Sequence, residues 1–262
     1  MRHERFATLA ATLVIVACVV PAPASAQSIA QRVGSTQDGK VRFTFAAKPG
    51  VCGFNNSISL GGSSRFNWSS DKSVDVEYDT ECSNSPVRVV LQVRQGAVTK
   101  LRTYVGGRWR ADASATDLGT MPSRAAADYL LQLASTNGGS AAHDAIMAAT
   151  LADSVTVWPS LVRIARDESR PSATRKQATF WLAQEAGEHI AGGRTSTTDP
   201  EAEMKKQAVF ALSQQKGGSS VPTLMEVARK NRDPDVRKTA LFWLGQTNDP
   251  RAISLFEELL KR

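Results

Sequence analysis

One ten-residue phrase occurs three times in this chain. Arg175-Lys-Gln-Ala-Thr-Phe-Trp-Leu-Ala-Gln184 returns as Lys205-Lys-Gln-Ala-Val-Phe-Ala-Leu-Ser-Gln214 and again as Arg237-Lys-Thr-Ala-Leu-Phe-Trp-Leu-Gly-Gln246. The copies start at 175, 205 and 237, so they lie 30 and 32 residues apart. A helical phrase returning at such a period signals stacked helical hairpins, because one hairpin cannot bury its apolar face alone. The phrase therefore predicts a right-handed α-solenoid over residues 122–262. It points to a surface that holds other molecules rather than to a catalytic pocket.

A second phrase alternates with the first. Pro159-x-Leu-x-x-Ile-Ala-Arg166 matches Pro222-x-Leu-x-x-Val-Ala-Arg229, and Ser254-x-Phe-x-x-Leu-Leu-Lys261 resembles both. Each unit thus reads as a longer A helix followed by a shorter B helix. Asp199-Pro200, Asp233-Pro234 and Asp249-Pro250 mark helix starts, since Pro in the first turn loses no helical hydrogen bond and Asp before it caps free N–H groups. One unit lacks its B helix: Gly187-Glu-His-Ile-Ala-Gly-Gly-Arg-Thr-Ser-Thr-Thr198 is rich in glycine and β-branched residues, which predicts a stub and a loop.

Upstream the hydrophobic period changes from 3.6 to 2. Val41-Arg-Phe-Thr-Phe45, Val74-Asp-Val-Glu-Tyr78, Val87-Arg-Val-Val-Leu-Gln-Val93 and the looser Val98–Val105 read as strands separated by Gly, Asn and Ser clusters. Gln95-Gly96 predicts a tight hairpin. The fold class is thus α+β and multidomain. The expected divisions are a signal segment at 1–26, a flexible stretch at 27–40, a small antiparallel β domain at 41–110, a linker at 111–121 and the repeats at 122–262.

The first residues carry an export pattern. Arg2, His3 and Arg5 precede an apolar run from Phe6 to Val20, and Ala24-Ser25-Ala26 is a small-x-small cleavage site. The run is short for a bilayer span and ends at Pro21, so no transmembrane span is expected in the mature form. Ile15-Val16-Ala17-Cys18 offers a second reading, a lipid anchor at Cys18. Export places the protein in the periplasm or outside the cell, where Cys52 and Cys82 pair as a disulfide. In the chain-entropy account that bond stabilises by roughly 3 to 4.7 kcal/mol.

The net charge of +7 is spread among acids, and no basic aromatic stripe argues for nucleic acid. There is no HExxH, no Gly-x-Ser-x-Gly elbow and no phosphate loop in the sequence. No cofactor, metal site or catalytic residue is expected. The charged B-helix positions Arg163, Arg166, Glu226, Arg229, Lys230, Glu257 and Glu258 are expected to face outward and hold a protein partner. The competing expectation is an envelope enzyme or ligand-binding module with its site in the β domain or at the domain junction. It would use Trp68, Tyr78, Tyr104 and Trp109 with the acids Asp71, Asp75 and Glu77.

The repeated phrases, with Asp233-Pro-x-Val-Arg-Lys238, resemble HEAT-like repeats of the phycobilisome-lyase-like subtype. The arrangement as a whole resembles exported bacterial proteins in which such repeats follow a small β region. The resemblance covers roughly 122–262. It implies an α-solenoid and protein–protein interaction, and it carries over no catalytic residue.

Overall fold

The computed structural model describes residues 26–54, 57–60, 65–67, 75–78, 82–84, 86–191, 200–214 and 220–262. The export pattern and Cys18 lie outside these residues.

Helix α1 (Ala26–Ser35) comes first. Residues 27–40 were expected to be flexible. Ile29 and Val33, one turn apart, are buried instead and hold the segment as a helix against the core. Strand β1 (Asp38–Phe45) follows, then the short strands β2 (Cys52–Phe54), β3 (Ser57–Ser59), β4 (Arg65–Asn67), β5 (Val76–Glu77) and β6 (Ser83–Asn84). The long strands β7 (Val87–Arg94) and β8 (Ala97–Val105) come next, then β9 (Arg108–Trp109) and β10 (Ala115–Thr120).

The principal sheet has the order β10-β1-β7-β8, antiparallel except for the β1–β10 pair. Its register sets Val41 opposite Leu91, and Leu91 opposite Leu101. Phe43, Phe45, Val89 and Val105 share that face, and all are buried. Period-two alternation thus forms one apolar face. The β7–β8 hairpin turns at Gln95 and Gly96, both at positive φ, as a tight two-residue turn demands. Residues 111–121 are no linker. Residues 115–120 form the edge strand β10, tied to β1 by Thr44 Oγ1 and Thr120 Oγ1 at 3.0 Å and by Met121 N–H to the Thr44 carbonyl at 2.7 Å.

A smaller sheet, β4-β3-β2-β6, carries the disulfide between Cys52 and Cys82, with Cα atoms 5.5 Å apart. Gly53 follows Cys52 in β2. A side chain there would collide with the Val105 carbonyl, so glycine lets this sheet press onto the end of β8. The third sheet is the two-stranded ribbon β5–β9.

Among the described residues eight helices follow: α2 (Ser123–Thr136), α3 (Ser140–Thr150), α4 (Trp158–Arg166), α5 (Ser172–Ala191), α6 (Pro200–Ser213), α7 (Val221–Lys230), α8 (Pro234–Gly245) and α9 (Pro250–Leu260). Two of the three Asp-Pro starts cap as expected, and Asp199 lies outside the described residues. Asp233 Oδ1 accepts from Asp235 N–H at 2.9 Å, and Asp249 Oδ1 from Arg251 N–H at 2.8 Å. Gly187 does not end α5, which runs on to Ala191.

A solenoid repeats by small rotations, so equivalent helices run parallel in chain order. The described helices depart from that expectation. The equivalent helices α5 and α8 lie antiparallel: Phe180 meets Phe242 edge-on at 6.0 Å, Thr179 meets Asn248, and Gly187 lies against Lys238. A Cβ on Gly245 would stand 2.6 Å from the Ala183 Cβ, so glycine permits this close crossing. Helix α6 packs on α8, with Phe210 5.1 Å from Trp243. Helix α9 folds back onto α4 and α5, and so lies between α4 and α7. The last hairpin is thereby inserted into the row instead of ending it.

The two halves share one core. Ala47 bridges Ala152, Lys48 N–H donates to the Leu151 carbonyl at 2.9 Å, and Lys48 Nζ meets Glu185 Oε1 at 2.6 Å. Helix α3 packs directly on β8.

Candidate functional site

The residues expected to meet a partner lie on α4, α7 and α9, and the fold gathers them on one side of the helices. It also pairs most of them. Arg166 binds Glu257 at 2.8 Å, and Arg229 binds Glu258 at 3.0 Å, so these four lace α4 and α7 to α9. Lys261 and Arg262 extend the ladder to Glu257 and Glu258 along α9. Lys261 and then Arg166 hold the Glu257 carboxyl below the ordinary glutamate range, and Arg229 does the same for Glu258, so both stay ionised at neutral pH. Glu226 and Lys230 pair within α7 at 3.1 Å and remain exposed. Arg163 on α4 donates to Ser160 Oγ at 2.8 Å and is exposed as well. Arg163, Glu226 and Lys230 are therefore free of the ladder between helices.

Beside Arg163 the helices α2 and α4 stand apart over a cleft of about 280 Å³. Buried Leu131 and Ile164 form its floor. Gln132, Ser135, Ser160 and Arg170 stand around it. Of these lining residues only Arg163 is among the partner-binding positions that the sequence pattern indicates. Proximity of α2 and α4 is a tertiary fact that no local pattern carries.

The β half holds a second cluster, on the sheet face turned away from the helices. The β5–β9 ribbon lies there on Val90 and Tyr104, contributing Val76, Tyr78 and Trp109 to a small separate core. Asp75 receives Lys40 Nζ at 2.8 Å, the Tyr104 hydroxyl at 3.1 Å and Arg102 Nη1 at 3.4 Å. Lys40 also meets Asp112 at 3.0 Å. Arg42 and Arg88 each lie 5.0 Å from the Trp109 ring, and Arg42 pairs with Asp117 at 2.9 Å. A cleft of about 180 Å³ opens between Lys40, Arg42, Asp75, Arg110 and Asp112.

The structure thus unites Tyr78, Tyr104, Trp109 and Asp75, whereas Glu77 is exposed opposite Arg108. Trp68 and Asp71 lie outside the described residues. Lys40, Arg42 and Arg88 were missed, although alternation about buried Val41, Phe43 and Val89 places all three on this face.

The electrostatics here favour fixed charge over proton transfer. The Ser114 hydroxyl and then Lys40 draw the Asp112 carboxyl down to about 2. Burial pushes the Tyr78 phenol up to about 12; burial and then Asp75 do the same for Tyr104. Asp112 can accept hydrogen bonds but has no proton to give near neutrality, and both phenols stay neutral. Among the described residues no three His, Cys, Asp or Glu side chains are grouped to hold a metal.

Residues 195–262 match the family model of HEAT repeats. That span holds the third and second copies of the repeated phrases on α6, α7 and α8, together with α9. No curated protein and no solved structure gives a significant match to the chain.

Proposed function

We propose that the chain is an exported, non-catalytic protein-binding or scaffolding protein that presents α4, α7 and α9 to a protein partner. The observation that carries this reading is the HEAT-repeat match over 195–262, in which α7 and α9 bear five of the seven charged residues gathered on that face. HEAT repeats point to a protein-interaction role. The ladder between helices makes the face rigid, and rigid faces lose less entropy on binding. Export rests on the Arg2–Ala26 pattern. The Cys52–Cys82 bond and the absence, among the described residues, of a helix long and apolar enough to cross a membrane are compatible with it.

The test is quantitative capture from the cell envelope of the source organism. Wild-type protein is compared with Arg163→Glu and with Lys230→Glu, neither of which breaks the ladder. A defined set of proteins should be retained by wild type and depleted by the variants. Identical capture by all three, or none above background, overturns the reading. A second reading, a ligand-binding or catalytic site in the β half, draws on the 180 Å³ cleft beside Lys40 and Asp112. It requires that Asp112→Asn change ligand binding or turnover while the fold persists.

A further inference from the structure

The cleft between α2 and α4 is unlike the other seams on its face. Along α4, α9 and α7 each seam is closed by an arginine on a glutamate, at 2.8 Å and 3.0 Å. At the α2–α4 seam no such pair forms among the described residues. Asp128 on α2 is satisfied by Arg124 of its own helix at 3.1 Å. Arg170 is satisfied by Asp167 at 3.0 Å.

Asp167 is the acid expected to serve Arg163, since it stands four residues on. It turns away. Its Oδ1 accepts from the Ser169 backbone and hydroxyl at 3.0 Å and 2.5 Å, and its Oδ2 takes Arg170. Arg163 is left with the neutral Ser160 oxygen and, among the described residues, no carboxylate. An uncompensated guanidinium therefore stands at the lip of a cleft floored by Leu131 and Ile164.

We propose that this cleft seats a short acidic stretch of a protein partner, with an aliphatic side chain on Leu131 and Ile164 and a carboxylate on Arg163. The inference rests on the protein-binding reading above and names what that partner must carry. At about 280 Å³ the cleft has room for a few side chains. Charge decides the sign. Of the charged side chains lining the cleft, Asp128, Asp167 and Arg170 have charged partners and Arg163 has only the Ser160 hydroxyl, and a guanidinium fork binds a carboxylate through two parallel hydrogen bonds. Asp128 on the opposite rim disfavours a second acid, so the stretch bears one carboxylate beside its aliphatic residue.

The experiment is an NMR titration of isotope-labelled protein with an end-blocked tripeptide of leucine, glutamate and leucine. Parallel titrations use the same peptide with lysine at its centre, and acetate alone. The acidic peptide should shift backbone amides within 128–135 and 160–170. The lysine peptide and acetate should leave them in place at the same concentration. Arg163→Glu should weaken the acidic peptide about tenfold or more, the loss expected for one charge-assisted contact, while the amides of β7 and β8 stay unmoved and report an intact fold. Three results overturn the proposal: no shifts up to about 10 mM peptide, well above a millimolar Kd; equal shifts with lysine or acetate; or shifts lying elsewhere. A silent cleft with charge-dependent envelope capture sinks this inference alone. A responsive cleft with no envelope partner sinks the broader reading.

Discussion

The three tyrosines of the chain are all buried to a degree that changes their chemistry. Tyr78 and Tyr104 lie under the β5–β9 ribbon, and Tyr129 meets Phe43 edge-on at 6.3 Å in the main core. Burial pushes Tyr78 and Tyr104 up to about 12, and it drives Tyr129 upward as well. An unfolded tyrosine ionises near pH ~10. The folded protein therefore keeps its phenols neutral where the unfolded chain would ionise. This contribution to stability is complete below pH ~10 and is lost as pH rises through the folded values. Absorbance at the phenolate band should stay flat through pH ~10.5 in native protein and rise in denaturant. The rise in native protein should coincide with loss of circular dichroism. One tyrosine titrating normally while the dichroism is intact would contradict the packing of the ribbon. Of this cluster, the strand pattern revealed the aromatics and Asp75. It did not reveal Lys40, because Lys40 and Asp75 meet only after the ribbon has folded over the sheet.

At the scale of elements, helix starts were legible and helix order was not. Asp233 and Asp249 cap by a local mechanism, so sequence neighbours suffice to see it. Which copy of a repeated phrase packs on which is not a local matter. The copies resemble one another, and similarity alone allows several orders. Small residues decide it here: Gly245 against Ala183 lets α8 cross α5 closely, a position where α6 carries Ser213. Helix α5 passes through Gly187 because a glycine costs a helix only about 1 kcal/mol, while Ala183 and Ala186 beside it are buried. The strand β10 escaped notice because Leu118 is its only buried side chain. The inserted order has a consequence for α9. In a sequential row, removing the last helix strips one end. Here it uncovers α4 and α5 and removes Ile253, Leu255, Phe256 and Leu259, all buried. Burial of four such side chains contributes roughly 6 to 12 kcal/mol, the size of a whole domain's net stability. Ending the chain after Gln246 should therefore abolish the cooperative thermal transition. A truncated protein that melts within a few degrees of wild type would restore the sequential row.

For the whole molecule, the sharp change of hydrophobic period near residue 122 suggested two independent bodies. The change is real, but it marks a change of element and not a boundary of folding. Val41, Phe43, Leu91 and Leu101 of the sheet belong to the same buried cluster as Tyr129, Ile146 and Trp181 of the helices. The backbone of residues 46–48 bonds to that of residues 151–153, which fixes the end of β1 to the end of α3. Neither half closes its own core, so each exposes apolar surface when alone. Residues 122–262 expressed alone should be helical yet non-cooperative in urea, with dye-accessible apolar surface where β8 and α1 had covered α3 and α2. The complete chain should unfold in one transition, with tryptophan fluorescence and helical dichroism superimposing, because Trp109 lies on the sheet and Trp158, Trp181 and Trp243 on the helices. Two separated transitions, or a cooperative isolated helical half, would show that the shared cluster is a contact between finished domains. The disulfide distinguishes these cases further. It joins β2 to the residue before β6 within the small sheet that packs on β8, so reducing it in a one-core protein should lower the single midpoint for every signal at once, whereas in a two-domain protein only the sheet's signal would move.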